Sequence, residues 1–364
     1  MNFSQRYFPG LDGLRAASIF LVLLHHIGMI FQYWPFAGGP AVLSSLSFQV
    51  MLLGFAGVDM FFVISGFLIA GLLLEDLSGP LRIKRFYVRR AFKILPQYWT
   101  VVLVGTYLSF FVYEQRSSVA TYLNYLFFLQ NYFGQVEILR HLWTIAVEEH
   151  FYLLLPLVYW VIWLVFKNSE ARWRALFVIF LVLIAAGNAL RWSDFMNVGL
   201  DPINQPPSWQ FTHRRFDALV FGCWLRLMIP CLAVLKEKFK IIPSVSFLLG
   251  CVLFSCLFLT RPFVNWQDYF MLYISCGFIL LSVILDLTIL VNILETPWLR
   301  FVGRNSYGIY IWHMMSIFFF SELFKKTNSV WFVLLYVIMS LVLGVLSTQT
   351  IEKTFLRIRK QVMP

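Results

Sequence analysis

Apolar runs of about 17 to 25 residues, each long enough to cross roughly 30 Å of hydrocarbon, recur ten times in this chain. They lie near residues 15–36, 51–74, 97–113, 145–166, 174–190, 216–234, 243–260, 268–290, 305–323 and 330–350. The composition agrees: 60% of the 364 residues are hydrophobic and 13% charged, against about 25% charged in an average soluble domain, and the mean hydropathy is +0.75. The expected fold class is all-α, a polytopic transmembrane helical bundle of about ten spans. A further apolar patch, Tyr122 to Phe133, is too short to cross and is expected at the interface or as a re-entrant segment.

The longest polar intervals, Glu75 to Pro96 and Arg191 to Arg215, are shorter than the roughly 50 residues that an independent domain needs. Residues 1–364 are therefore expected to form a single integral-membrane domain with no soluble appended domain. The first apolar run lacks a small-residue cleavage site and is long enough to span, so it is expected to be retained.

Lys and Arg near span ends stay cytoplasmic. Ten spans with an internal N-terminus place 21 of the 29 basic residues inside and 8 outside, so both termini are expected to be cytoplasmic. The net charge of +11 then reflects topology, and no basic patch interleaved with aromatics points to a nucleic-acid partner. The five cysteines are odd in number and form no C-x-x-C pair. They support neither a disulfide framework nor a thiolate metal site, and no metal is expected.

Ionisable groups inside spans are expensive and persist mainly where they face a bundle interior or a wet cavity. In "GLRAASIFLVLLHHIG", Arg15 and His26 are eleven residues apart, within about 20° of three helical turns and roughly 16 Å apart along the axis. They share a face, with Arg15 at the cytoplasmic mouth and His26 near mid-membrane, whereas His25 points about 100° away. In "HLWTIAVEEHFY", helical spacing puts His141 and Glu148 on nearly one face and turns Glu149 away. One glutamate orients a catalytic imidazole, or the pair forms ion pairs with an arginine such as Arg191 or Arg215. Both readings are open.

In "GVDMFFVISGFLI", Ser65 and Gly66 suit close helix packing, while Asp59 is too costly in lipid to be passive filler. From Arg82 to Lys93 six basic residues fall in twelve positions. Read as a loop, this run anchors topology, and its Arg85, Arg89, Arg90 and Lys93 also suit a phosphorylated ligand arriving from the cytosol. "GRNSYGIYIWH" carries His313 about 14 Å into the ninth span, a depth comparable to that of His26. The two histidines are expected to share a cavity.

"FPGLDGLRAASIFLVLLHH", "FFVISGFLI", "LWTIAVEEHFYLLLP", "RRFDALVFG" and "GRNSYGIYIWH" together resemble, in order and nearly end to end, the blocks of the acyltransferase 3 family. That resemblance implies a bacterial inner-membrane, multi-pass O-acyltransferase, moving an acyl group, mostly acetyl, from acetyl-CoA to a carbohydrate or lipid-linked glycan such as a lipopolysaccharide O-antigen or an exopolysaccharide unit. It implies His26 as the central catalytic residue, beside which the residues read above, Glu148, Glu149, His313 and Asp59, stand as further candidates. Arg15, Arg85, Arg89, Arg90 and Lys93 would hold the CoA phosphates, and the pantetheine arm is of roughly the length needed to approach His26.

Two departures stand out. Lys93 replaces the second arginine of the family's loop motif, and His150 stands where the family usually has glutamine. The family's optional hydrolase-like domain is not expected here, so transfer would occur within the membrane domain. His26 would act as general base or carry the acyl group as an acyl-imidazole. Rival readings are a transporter or flippase of a glycan or lipid-linked sugar, and a bis-histidine haem protein.

Overall fold

The computed structural model describes residues 7–33, 54, 56–74, 83–112, 117–198, 210–259, 266–323 and 330–362. Its helices are α1 (Leu11–Tyr33), α2 (Ala56–Leu74), α3 (Ile83–Tyr107), α4 (Val119–Leu126), α5 (Gln130–Phe133), α6 (Trp143–Val165), α7 (Ser169–Val198), α8 (Phe216–Lys238), α9 (Ile242–Leu259), α10 (Trp266–Ile284), α11 (Thr288–Leu294), α12 (Pro297–Arg304), α13 (Ser306–Leu323), α14 (Val330–Ser347) and α15 (Lys353–Val362). No strand occurs among the described residues. Eight helical segments there are long and apolar enough to cross a membrane by length and composition. Two 18-residue helices, α9 and α13, account for the remaining apolar runs. Exposed side chains such as Leu153, Leu154, Val178 and Val182 present an apolar outer surface suited to lipid. The patch at 122–133 falls in α4 and α5, eight and four residues long, neither able to cross.

The basic run expected to be a loop is helical. From Ile83 it forms the first half of the 25-residue α3; Arg82 lies outside the described residues. The reason is local: between 83 and 95 the chain has no glycine or proline, and five of the thirteen residues are Arg or Lys, which are good helix formers. Pro96 removes one backbone donor, yet the helix continues, with Thr100 Oγ1 donating to the Pro96 carbonyl at 2.7 Å.

The chain packs as two compact units. The first comprises Met1–Ser18, Ala56–Arg82 and Val147–Arg300. In it α2 and α8 approach backbone to backbone: a Cβ on Gly66 would strike the Leu219 carbonyl, and one on Gly222 the Val63 carbonyl. The close-packing reading of Ser65–Gly66 is thus realised from both helices. Where α1 begins, Gly10 adopts a positive φ of 85°, a conformation natural to glycine, and its N–H donates to Glu295 at 2.6 Å.

Two ion pairs are buried in this unit. Arg215 donates to Asp59 at 2.7 Å, with side chains 3% and 1% exposed. Arg191 grips both carboxylate oxygens of Asp217, at 2.8 and 2.5 Å, and also donates to the Arg214 carbonyl. Arg215 further packs on the Tyr269 ring, 4.6 Å from its centroid. Arg226 is buried within α8 against the rings of Phe8 and Phe67.

The second unit comprises Ile19–Phe55, Ile83–Ala146 and Phe301–Pro364. Gly308 and Gly344 bring α13 and α14 into backbone contact. A buried chain of hydrogen bonds ties α3 to the end of α14: Ser347 donates to Gln97 Oε1 at 2.7 Å, and Gln97 Nε2 donates to Glu352 at 2.8 Å. Glu352 sits in a wide π-helical turn, Thr348–Glu352, that joins α14 to α15. Tyr307 donates to the Ile94 carbonyl at 2.9 Å, holding α13 to α3.

Removing one member of a buried pair strands the other charge and destabilises by about 3–5 kcal/mol. Arg215→Ala is therefore expected to lower stability in detergent by that amount, while Asp59→Ala/Arg215→Ala recovers part of the loss. Thermal unfolding of the purified variants checks this. A double variant as damaged as the sum of the singles would show that the two groups do not depend on each other.

Candidate active site

Three histidines meet in the second unit. His26 comes from α1, His313 from α13, and His141 from a 3-10 turn, Glu137–Leu142, that precedes α6. The His313 ring lies 4.6 Å from His26 and 4.9 Å from His141, centroid to centroid and edge to face. His25 packs edge-on to His26, at 5.3 Å.

Each of the three imidazoles is held by a backbone carbonyl. His26 Nδ1 lies 2.9 Å from the Val22 carbonyl, His313 Nδ1 is bonded to the Tyr310 carbonyl, and His141 Nε2 lies 3.0 Å from the Ile311 carbonyl. A carbonyl only accepts, so each of these nitrogens carries the proton. The opposite nitrogens, Nε2 of His26, Nε2 of His313 and Nδ1 of His141, are left with lone pairs. Those of His313 and His141 are buried with no hydrogen-bond partner among the described residues. His313 and His141 are buried, whereas His26 is only partly so. The cluster is therefore a set of acceptors, suited to a ligand that brings hydroxyl donors, and His26 is its accessible member.

The turn bearing His141 is clamped to α13 from both directions. Tyr310 donates its hydroxyl to the His141 carbonyl at 2.9 Å and accepts from Thr144 at 2.7 Å. His141 lies on the tighter turn just before α6 and is held to α13, while Glu148, on α6, is bonded to Tyr152. The pairing of this turn with α13 is long-range, so no local signal reveals it.

Glu148, Glu149 and Asp59 belong to the first unit. Glu148 accepts from the Tyr152 hydroxyl at 3.1 Å, and that hydroxyl is in turn bonded to Ser65. Arg191 and Arg215, considered as partners for the glutamates, are engaged by Asp217 and Asp59. His150 is bonded to Thr212 at 2.8 Å. Arg15 is half-buried on α1, eleven residues before His26 on the same helix. On α3, Arg89 is exposed and Arg85, Arg90 and Lys93 are half-buried.

Among the described residues no group of three His, Cys, Asp or Glu side chains has the arrangement to hold a metal ion. The bis-histidine haem reading fails for His26 and His313, because rings in edge contact leave no room for a porphyrin between them.

A family described as "Acyltransferase domain" matches residues 8–349. "Putative peptidoglycan O-acetyltransferase YrhL" of Bacillus subtilis (strain 168) is 30% identical over 96% of this chain and 55% of its own length. "Peptidoglycan O-acetyltransferase OatA" of Listeria monocytogenes serovar 1/2a is 28% identical over 96% of this chain and 56% of its own. The chain thus spans little more than half the length of either relative. No solved structure matches it.

Tyr310→Phe removes the bond to the His141 carbonyl and the acceptor for Thr144. The expected loss is about 1–3 kcal/mol, as for a buried partner left unsatisfied. Tyr310→Phe/Thr144→Val should lose less than the sum of the single changes, read from unfolding of the purified variants. Strict additivity would mean that this clamp is not formed.

Proposed function

Since the chain belongs to the acyltransferase 3 family, we propose that it is a membrane O-acetyltransferase that moves an acetyl group from acetyl-CoA on the cytoplasmic side to a hydroxyl of a carbohydrate. The names of its relatives favour a peptidoglycan-type sugar as acceptor over a lipopolysaccharide or exopolysaccharide unit. A bacterial cytoplasmic membrane with both termini inside accords with the distribution of basic residues. The observation that carries the reading is the state of His26: Nδ1–H is committed to Val22, so Nε2 is the basic nitrogen, on the accessible ring of the cluster.

In the proposed reaction Nε2 takes the proton of the acceptor hydroxyl as its oxygen attacks the thioester carbonyl. The carbon–sulfur bond breaks, and the imidazolium returns its proton to the departing CoA thiolate. The bond to Val22 fixes the ring throughout, which is the positioning that general base catalysis requires. His141 and His313 line the same site and offer lone pairs to the acceptor's other hydroxyls. Arg85, Arg89, Arg90 and Lys93 supply positive charge for the CoA phosphates. Asp59, committed to Arg215, serves the fold, and Glu148 holds Tyr152.

His26→Ala is expected to lower transfer of labelled acetyl from acetyl-CoA by about 10²- to 10⁴-fold, while His25→Ala keeps a substantial part of it. The comparison is made at equal folded protein, judged by monodispersity, and at saturating donor. An inactive His25→Ala beside an active His26→Ala would overturn the assignment of the base.

A further inference from the structure

The segment too short to cross, α4 and α5, ends in four residues whose faces are reversed from those of a soluble helix. On α5 Gln130 and Asn131 are buried, at 1% and 5% exposure, while Tyr132 and Phe133 are exposed. The two amides point at the turn that carries His141. Gln130 Nε2 donates to the Leu142 carbonyl at 3.0 Å, and Asn131 Nδ2 to the Trp143 carbonyl at 2.9 Å. With Tyr310 donating to the His141 carbonyl, three successive carbonyls each accept from a side chain of another element.

The bend that aims α5 is fixed as well. Phe128 takes a positive φ of 61°, a conformation in which glycine is the usual residue. Its N–H reaches the Tyr125 carbonyl at 3.3 Å and the Leu129 N–H the Asn124 carbonyl at 2.8 Å, which closes α4 in a Schellman turn. A bulky side chain held there is strained, and such strain persists where the surroundings over-determine it, commonly at functional sites. Here the Phe128 ring lies 4.5 Å from that of Tyr98 on α3, centroid to centroid. Tyr98 donates to the Tyr125 carbonyl at 2.8 Å and accepts from Gln130 at 3.3 Å. Gln130 is thus fixed from α3 while it holds the turn.

Amides are costly to bury, and an apolar pair of similar volume would pack in their place. Such a pair would not hold a short 3-10 turn, whose own hydrogen bonds are few and poorly aligned. We infer that Gln130 and Asn131 are positioning residues of the site: they set the tilt of the turn, and through it the direction in which His141 offers its Nδ1 lone pair to the acceptor. A hydrogen bond weakens steeply with misalignment, so a small tilt is felt in binding. This rests on the reading of His141 as an acceptor-binding group given above and extends it, since it makes the α4–α5 segment a part of acceptor recognition.

The test is acetyl transfer by the purified full chain, with labelled acetyl-CoA as donor and soluble peptidoglycan glycan strands as acceptor. Gln130→Met and Asn131→Leu keep the side-chain size and remove the amide. Each is expected to raise the acceptor KM about tenfold, the loss of one well-aligned hydrogen bond, and to leave the donor KM unchanged. In a His141→Ala background neither should raise the acceptor KM further, because the group they position is gone. Phe133→Ala, on the outer side of α5, should match the wild type. The two bonds are tested separately, so one variant that fails to fold leaves the other to decide. A wild-type acceptor KM in the folded variants would overturn the positioning role and leave the acetyl-transfer reading standing. An equal loss with and without His141, or a rise in the donor KM, would mean a general scaffold role and overturn it too. His141→Ala with wild-type kinetics would overturn the acceptor role of His141 and this inference together, and no transfer by the wild type would overturn the acetyl-transfer reading itself.

Discussion

A hydrocarbon solvent offers no hydrogen bonds, so backbone polar groups and charges inside this bundle must find their partners within the protein. That requirement organises both units. In the first it joins Asp59 to Arg215 and Asp217 to Arg191, and the Arg191 guanidinium is further engaged by the Arg214 carbonyl and Asn188. In the second it aims three imidazoles at backbone carbonyls and threads Ser347, Gln97 and Glu352 into one chain. The polar residues that make these spans look costly also fix which helices can be neighbours.

Apolar packing supplies the complementary specification. Lipid tails are as apolar as leucine, so helices in a membrane are held less by exclusion from solvent than by how closely their backbones approach. Gly66 against Leu219, Gly222 against Val63, and Gly308 against Gly344 are such approaches. They bring backbone polar groups and short side chains together, as where Cys223 lies 3.2 Å from the Gly66 carbonyl.

Much of this was legible in the sequence, and what was hidden has physical reasons. Apolar run length locates each long helix, because span length is set by bilayer thickness. The shared depth of His26 and His313 follows from helical rise, and their rings do meet. One reading stretches a local rule: high positive charge from Lys84 to Lys93 suggests a loop, although Arg and Lys are good helix formers and the stretch up to Pro96 lacks a breaker. His141 is held on its turn by Tyr310 and Ile311, some 170 residues away in sequence. Such partners are set by tertiary packing, which a periodicity cannot express. The same holds for Asp59, whose cost in lipid was evident but whose partner, Arg215, lies 156 residues away.

The carbonyl that orients His26 has a second consequence. In the proposed reaction, when the imidazole gains a proton at Nε2, its Nδ1–H stays bonded to Val22, and that bond becomes a charge-assisted one, of the stronger kind. The backbone dipole of α1 would then steady the transient cation. A carboxylate in that position would do so too, but its full charge would have to be desolvated in the resting enzyme. A peptide carbonyl carries no net charge to bury, so α1 itself would supply the counter-dipole that the proposed proton transfer calls for.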